Sequence, residues 1–376
     1  MKSTQEHLQK IREYASGLDR SLTFMEVCGT HTMAAFRTGL RSLLPSNVNL
    51  VSGPGCPVCV TVDQYIDEAM ALAAKPDVIV ATFGDMVRVP GTGGSLQQAR
   101  SQGADVRVVY SPSDALDLAR KCPDRDVVFL GVGFETTAPA VAWTVKCAAE
   151  ENIDNYSVLG AHKRVLPAMQ ALVQDGEVNL DGFMCPGHVS VIIGSQAYEP
   201  LARQQGMPCV VTGFEAFDMA EGLGMLLQQV REGRTEAENQ YTRAVTPEGN
   251  PAAKSMLDEV FRHDDVAWRG LGTIPDSGLS IRDEYARCDA RRRWPDLDLP
   301  ERREEQGCRC GEVLRGLRSP DACPLFGKAC TPSNPVGPCM VSTEGTCAAH
   351  YHYGGAQDAV SVQSASASQA ERGSAG

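Results

Sequence analysis

The cysteines of this chain are concentrated near its carboxyl end, and this concentration is the feature that most restricts the fold. Six of the fourteen cysteines lie between Cys308 and Cys347, in a stretch rich in proline and glycine. Such a segment cannot form a conventional hydrophobic core, so it needs cross-links of another kind. The chain starts with a charged, amphipathic segment rather than an apolar leader. We therefore expect a cytoplasmic protein whose thiols hold a metal or carry redox chemistry.

The spacing of these six cysteines favours an iron–sulfur cluster over zinc. Zinc sites use paired C-x-x-C knuckles, and the segment contains none. Wider, uneven gaps suit a [4Fe–4S] cluster held by four thiolates. The predicted ligands, separated by gaps of 14, 6 and 16 residues, are Cys308, Cys323, Cys330 and Cys347. Cys310 and Cys339 are alternative ligands or a nearby thiol pair, and zinc or plain thiols stay open.

A second cysteine motif, GPGCPVC, lies between a predicted strand at 48–51 and a predicted helix at 63–73. Its Cys56 and Cys59 form a C-x-x-C pair. At the start of a helix such a pair indicates redox activity, because the helix N-terminus stabilises a thiolate. The same two thiolates could instead hold a metal ion.

Cys28 and His31 belong to a third motif, CGTHT. The two side chains could meet one ion if the loop between them curls, which Gly29 permits. Thiolate and imidazole together suit iron. A purely structural pair and the cysteine nucleophile of a hydrolase are the alternatives.

Residues 21–230 alternate between short β-branched runs and helical patterns, which is typical of parallel-sheet α/β folds. The predicted strands include 48–51, 78–82, 106–110, 127–130, 158–159, 189–193 and 210–212. In such folds ligands gather at loops beyond the strand ends, so Asp85, Glu135 and His188 are candidate proton carriers or ligands. The tripeptide Gly-Phe-Glu occurs at 133–135 and again at 213–215. Duplication of one domain and chance are both possible explanations.

We therefore predict an α/β protein with two similar parallel-sheet domains and a cysteine-rich, loop-rich iron–sulfur domain. The expected segments are an N-terminal helix (1–20), a first α/β domain with the CGTHT and CPVC motifs (21–125), a second α/β domain (126–235), the iron–sulfur domain (236–354) and a disordered tail (355–376).

Charge and motif content exclude several classes of function. The net charge of −12 argues against nucleic-acid binding. No uncharged apolar run approaches the 18 residues of a membrane-spanning helix. Neither a Walker A loop nor a complete G-x-G-x-x-G fingerprint is present, so no nucleotide site is expected.

Together the motifs resemble the HypD family of hydrogenase maturation factors, over about residues 20–353. The matching segments are CGTHT (28–32), GPGCPVC (53–59), FGDMVRVPG (83–91), GFETTAP (133–139), PGHVS (186–190) and the cysteine-rich segment that starts at Cys308. The resemblance implies an assembly scaffold rather than a conventional turnover enzyme. Such a scaffold builds the Fe(CN)₂CO unit of [NiFe]-hydrogenases together with a small HypC-type chaperone and a HypE-type cyanide donor.

The resemblance also implies roles for individual residues. Cys28 would bind Fe(II), carrying cyanide and carbon monoxide, together with a thiolate of the HypC-type partner, and His31 would lie beside it. Cys56 and Cys59 would be a redox thiol pair near the iron, and Glu344 would lie close to the cluster. We expect the [4Fe–4S] cluster to reduce this thiol pair. The alternative function is an iron–sulfur thiol oxidoreductase that reduces a protein disulfide through the same pair.

Overall fold

The computed structural model describes residues 4–301 and 307–354. The predicted tail at 355–376 lies outside these residues. The strands are β1 Leu22–Glu26, β2 Val48–Ser52, β3 Val78–Thr82, β4 Val106–Val108, β5 Asp126–Gly133, β6 Tyr156–His162, β7 Gly182–Pro186, β8 Cys209–Thr212, β9 Ala237–Asn239, β10 Phe261–Trp268 and β11 Gly272–Ile281.

The α-helices are α1 Thr4–Ser16, α2 Gly29–Arg37, α3 Leu40–Leu43, α4 Asp63–Ala73, α5 Leu96–Ser101, α6 Pro112–Lys121, α7 Ala138–Glu150, α8 Val165–Asp175, α9 Gly187–Ile193, α10 Glu199–Gln205, α11 Ala216–Glu232, α12 Pro251–Val260, α13 Ala290–Arg293, α14 Cys310–Leu314 and α15 Thr346–Tyr353. Short 3₁₀ helices lie at Gly84–Arg88, Ser195–Tyr198, Asp283–Cys288, Pro320–Ala322 and Pro338–Met340.

In the described part of the chain, the β-structure consists of two parallel sheets and one antiparallel hairpin. The first sheet has the strand order β2-β1-β7-β8-β9, and the second has the order β4-β3-β5-β6. All pairings within these two sheets are parallel, whereas β10 and β11 form an antiparallel hairpin. The predicted α/β class with parallel sheets is confirmed, and the cysteine-rich segment follows as loops and short helices.

The chain builds these sheets in three passes. In chain order, β1 and β2 belong to the first sheet, β3–β6 form the second sheet, and β7–β9 belong to the first sheet again. Neither sheet is therefore confined to one of the expected ranges 21–125 and 126–235. The return depends on the pairing of β7 with β1, in which the fully buried Met25 and Phe183 are register partners. The apolar pattern of a strand indicates burial but does not indicate which sheet it joins.

One predicted strand is wrong. Residues 189–193 form most of α9, a helix that starts directly after β7. The hydroxyl of Ser190 donates to the carbonyl oxygen of Pro186 at 2.8 Å, and Val189 is buried. A short β-branched run is ambiguous by itself, and packing after a parallel strand outweighs its β-propensity.

Two peripheral elements fix the surroundings of the sheets. Helix α1 lies within the predicted segment 1–20 and buries Leu8 and Ile11 against Leu223 and Leu227 of α11. The β10–β11 hairpin contacts β6 and forms a bridge between Gly278 and Lys163, the residue after β6. Gly270, in the turn of the hairpin, packs against Gly311 of the cysteine-rich segment. Among the described residues, no helix is both long and apolar enough to cross a bilayer.

Candidate functional site

Cys28 lies at the junction between β1 and α2, at the carboxyl edge of the first sheet. Its side chain is only 8% exposed, and its backbone N–H approaches Oε2 of Glu26 at 3.4 Å. The next residue, Gly29, donates its N–H to the carbonyl oxygen of Gly55 at 2.9 Å. This hydrogen bond joins the CGTHT motif to the GPGCPVC motif, as parallel strands ending at one edge allow.

The GPGCPVC segment packs directly against Cys28. A Cβ atom at Gly55 would lie 2.5 Å from the Cα atom of Cys28, so glycine is needed for this approach. Cys56 and Cys59 are buried and form a disulfide with a Cα–Cα distance of 5.2 Å. The residue directly before the C-x-x-C pair is therefore in contact with the backbone of Cys28.

The placement of this disulfide differs from the sequence interpretation in one respect. Helix α4 begins at Asp63, four residues after Cys59, and the two cysteines lie in the preceding turn. The dipole effect of a helix is confined to its first turn. Stabilisation of a thiolate by the N-terminus of α4 is therefore not the feature that distinguishes this pair.

His31 is fully buried in α2, and its contacts are with the end of β8. Its Nε2 lies 2.9 Å from both the Gly213 carbonyl oxygen and the Thr212 hydroxyl, and its ring centroid lies 4.7 Å from that of Phe214. Burial lowers the pKa of His31 to about 4, so the ring is neutral at pH 7. A carbonyl only accepts, so Nε2 carries the proton. Nδ1 has no hydrogen-bond partner among the described residues.

Glu344 reaches the same site from the far end of the chain. The hydroxyl of Thr30 donates to its Oε1 at 2.7 Å, and a Cβ atom at Gly29 would lie 2.5 Å from the Cβ of Glu344. Burial, and after it the negative charge of Glu344, raise the pKa of the Cys28 thiol to about 12. Cys28 is therefore a protonated thiol unless a cation binds it.

His188 is the exposed member of this group. Its ring centroid lies 4.0 Å from that of Phe214, the ring that also contacts His31. Partial burial lowers the pKa of His188, and the nearby Glu344 opposes this effect. Of the three loop candidates from the sequence, His188 is the one that the ring of Phe214 links to His31 of the CGTHT motif.

The other two loop candidates have different surroundings. Glu135 is buried, and its two carboxylate oxygens accept from the N–H of Val165 at 3.1 and 3.3 Å, which indicates a role at the start of α8. Asp85 lies in the 3₁₀ helix after β3. In that loop it is Arg88 that contacts the cysteine-rich segment, by donating to the carbonyl oxygens of Pro332 and Val341 at 3.2 and 3.3 Å.

Sequence reasoning missed Glu26, which lies fully buried beneath Cys28. Its Oε1 accepts from the Thr32 hydroxyl at 2.6 Å and from Arg41 at 3.0 Å, and Arg41 also donates to Ser52 at 2.6 Å. Burial raises the pKa of Glu26 to about 7, against the opposing effect of Arg41. The available signal was a carboxylate that ends an apolar strand two residues before a motif cysteine.

The six C-terminal cysteines line one apolar cavity. Its lining also includes Val313, Leu325, Phe326 and Met340. The cysteine sulfurs are close enough to interact: Cys308 and Cys339 donate to the sulfur of Cys310. These bonds hold the pKa of Cys310 below its ordinary value and raise the pKa of the two donors. A Cβ atom at Gly337 would lie 2.8 Å from the sulfur of Cys308, so glycine leaves room for that sulfur.

This cavity has the donor set that an iron–sulfur cluster requires. Thiolates are the ligands of such clusters, and an apolar shell excludes water from them. Within 4–301 and 307–354, no group of three or more His, Cys, Asp or Glu side chains is spaced to hold a single metal ion. Six thiols around one apolar cavity fit a [4Fe–4S] group, and the choice of four ligands among the six cysteines stays a prediction.

Comparison with known proteins agrees with these motifs. The family model HypD, described as "Hydrogenase formation hypA family", matches residues 2–354. The chain is 49% identical over 348 residues to a protein named hydrogenase maturation factor HypD from Azotobacter vinelandii, covering 91% of this chain and 92% of the relative.

Proteins of the same name from other bacteria are similarly close. The relative from Cupriavidus necator is 47% identical over 343 residues, covering 89% of this chain and 90% of its own length. The relative from Rhodobacter capsulatus is 46% identical over 345 residues, covering 91% and 92%. Because the family model and these relatives cover nearly the whole described part of the chain, the chain belongs to the HypD family of hydrogenase maturation factors.

Proposed function

We propose that the chain is a cytoplasmic, redox-active scaffold on which the Fe(CN)₂CO unit of [NiFe]-hydrogenase is assembled, with Cys28 as its iron ligand. The observation that carries this proposal is the packing of Cys28 against the Gly55 turn that leads into the Cys56–Cys59 disulfide. In this proposal an iron-binding thiol and a dithiol couple share one site. Soft thiolates suit low-spin ferrous iron with strong-field diatomic ligands.

The iron needs a second protein ligand from a partner. While their disulfide is intact, Cys56 and Cys59 offer no thiolate, and the Nε2 of His31 is occupied at the end of β8, which leaves its Nδ1 without a partner among the described residues. A small HypC-type chaperone would contribute a thiolate as the second protein ligand of the iron. A HypE-type protein would deliver cyanide to that complex. The side of Cys28 that carries Glu344 and the exposed His188 is the surface on which we expect these partners.

The cysteine-lined cavity supplies the resident cofactor site. Cys308, Cys323, Cys330 and Cys347 would hold a [4Fe–4S] cluster, with Cys310 and Cys339 as alternates. When bound, such a cluster supplies electrons one at a time. The Cys56–Cys59 disulfide takes up two electrons and two protons and becomes two thiols. Both disulfide cysteines belong to the same hydrophobic core as Cys310 and Cys339, which supports exchange between the two sites.

The alternative functions have weaker support from the geometry. A thiol oxidoreductase must present its disulfide to a partner, and Cys56 and Cys59 are both buried. A cysteine hydrolase needs an activated thiolate, whereas burial and Glu344 raise the pKa of Cys28.

The test is anaerobic purification with the two partner proteins, followed by visible and infrared spectroscopy. Wild type should show cluster absorption together with cyanide and carbonyl stretches. Cys28→Ala and Cys56→Ala should keep the cluster absorption and lose the stretches. Cys122→Ala, an isolated partly exposed cysteine, is the matched control and should behave as wild type. Stretches that persist in Cys28→Ala would refute the scaffold, and stretches that persist in Cys56→Ala would refute the redox role of the disulfide.

A further inference from the structure

The turn of the β10–β11 hairpin, residues 269–271, lies between the loop that follows the Cys56–Cys59 disulfide and the cysteine-rich segment. Trp268 ends β10, stacks on Phe134 with ring centroids 6.0 Å apart, and donates its Nε1–H to Ser277 at 2.9 Å. Lys163 lies over the same indole ring and donates to the Ala267 carbonyl oxygen at 3.1 Å. These contacts fix the position of the next residue, Arg269.

Arg269 binds the loop that follows the disulfide. Its backbone N–H donates to the carbonyl oxygen of Val60 at 2.9 Å, and its Nε donates to that of Thr61 at 3.1 Å. Its Nη2 forms an ion pair with Asp63, the first residue of α4. The Arg269 side chain is only 7% exposed, so these bonds are shielded from solvent. The guanidinium therefore holds the segment directly after Cys59.

The other side of the hairpin tip touches the cysteine-rich segment. Gly270 packs on Gly311 so closely that a Cβ atom at position 311 would lie 3.0 Å from the Cα of Gly270. Gly311 directly follows Cys310, and Arg269 and Cys308 line the same groove. The positive charge of Arg269 therefore lies beside the start of the cysteine-rich segment.

A fixed positive charge at this position has a definite effect on redox chemistry. A cluster held by four thiolates is anionic, and its reduction adds one more negative charge. A buried cation stabilises the more negative state, because the low local dielectric strengthens the attraction. An arginine stays protonated in this environment, so its charge does not depend on pH.

We propose that Arg269 is a positioning residue that holds the loop after Cys59 against the cysteine-lined cavity and raises the reduction potential of the cluster bound there. The inference rests on the proposed function, because it requires that cluster. It adds a residue outside the cysteine motifs that links the disulfide to the cluster. The carboxylate of Asp63 offsets part of the positive charge of Arg269, so it reduces the effect of Arg269 on the reduction potential of the cluster.

The test is a redox titration of the anaerobically purified protein, followed by electron paramagnetic resonance of the reduced cluster. Arg269→Gln should shift the reduction equilibrium about tenfold toward the oxidised cluster, which is about 59 mV for a one-electron couple. Arg269→Lys keeps the charge and should shift it by less than about threefold. Asp63→Asn should shift it in the opposite direction, because it removes the opposing carboxylate. Arg287→Gln, which removes an arginine paired with the exposed Asp154, is the control and should match wild type.

Several outcomes would overturn the proposal. An unchanged equilibrium in Arg269→Gln, or an equal shift in Arg269→Lys, would show that the charge has no such effect. If Arg269→Gln purifies without a cluster, the Asp63→Asn variant provides the test instead. The inference is refuted if the reduction equilibrium of Asp63→Asn is unchanged or shifts toward the oxidised cluster. Iron and sulfide analysis of wild type separates this from the proposed function. A wild type without a cluster refutes the cofactor assignment, whereas a loaded wild type with an insensitive Arg269→Gln variant refutes the role of Arg269 alone.

Discussion

The hydroxyl of Thr30 donates a hydrogen bond to Oε1 of Glu344 at 2.7 Å, although 314 positions separate the two residues in the chain. This bond ties the first turn of α2, which follows Cys28, to the carboxyl end of the cysteine-rich segment. The carboxylate of Glu344 also contributes to the raised pKa of Cys28, after burial. One side chain thus has a mechanical role and an electrostatic role at the same thiol.

Replacing Glu344 by Gln should separate these two roles. The amide oxygen of Gln can still accept from Thr30, but the negative charge is lost, so the pKa of Cys28 should fall. Alkylation of Cys28, followed by mass spectrometry over a range of pH, should be about threefold to tenfold faster in Glu344→Gln at the same pH. Thr30→Val breaks the bond and keeps the charge, and serves as the control. Equal rates in wild type and Glu344→Gln would show that the charge is screened.

Gly55→Ala should push the turn that leads into the disulfide away from Cys28. The added methyl group would lie 2.5 Å from the Cα of Cys28, and backbone atoms cannot yield as a flexible side chain can. We expect a loss of about 1–3 kcal/mol or more in the free energy of unfolding, measured by chemical denaturation. Gly224→Ala, in the interior of α11 with no atom near the new methyl group, should instead gain about 0.5–1 kcal/mol. The same change in stability for both variants would contradict the prediction.

The buried Glu135 should make stability depend on pH. Burial raises its pKa from 4.5 to about 7, so the folded protein keeps this proton in a range where the unfolded chain releases it. Stability relative to Glu135→Gln should therefore fall as pH rises from about 4.5 to 7, by about 3 kcal/mol in total, and stay level above. The amide oxygen of Gln retains the bond to the N–H of Val165. Denaturation curves of wild type and Glu135→Gln at pH 5 and pH 7.5 measure the difference in their free energies of unfolding. The same difference at both pH values would contradict the prediction.

Serine replacements should identify the cluster ligands among the six C-terminal cysteines. We expect serine replacement of any of the four predicted ligands to remove most of the iron and sulfide bound per chain. These ligands are Cys308, Cys323, Cys330 and Cys347. Cys310→Ser and Cys339→Ser should retain most of it, because we assign these two as alternates. Cys122→Ser is the control. If Cys310→Ser loses the iron while Cys308→Ser retains it, the assignment at that end of the segment is reversed.

The sequence could predict features that depend on local pattern or on the chemistry of a residue type. Alternating β-branched and helical segments predicted parallel sheets, and α4 occupies the predicted residues 63–73. The density of cysteines among prolines and glycines predicted a site built from thiols, and all six line one cavity. The short run at 189–193 was ambiguous, because periodicity alone cannot separate a short buried helix from a strand.

Only the tertiary structure decided which of these elements meet. The return of the chain from the second sheet to the first and the approach of Glu344 to Gly29 depend on contacts between distant segments. The burial of Glu26 does so too, because its register partners are Ser52 and Met184. In the sequence, Arg269 is distant from every cysteine motif. In the structure, it lies between the loop after the disulfide and the cysteine-rich segment. The sequence of this protein therefore determined which chemical groups are available. Packing of distant apolar surfaces, which is non-directional and not encoded in any local pattern, decided which of those groups act together.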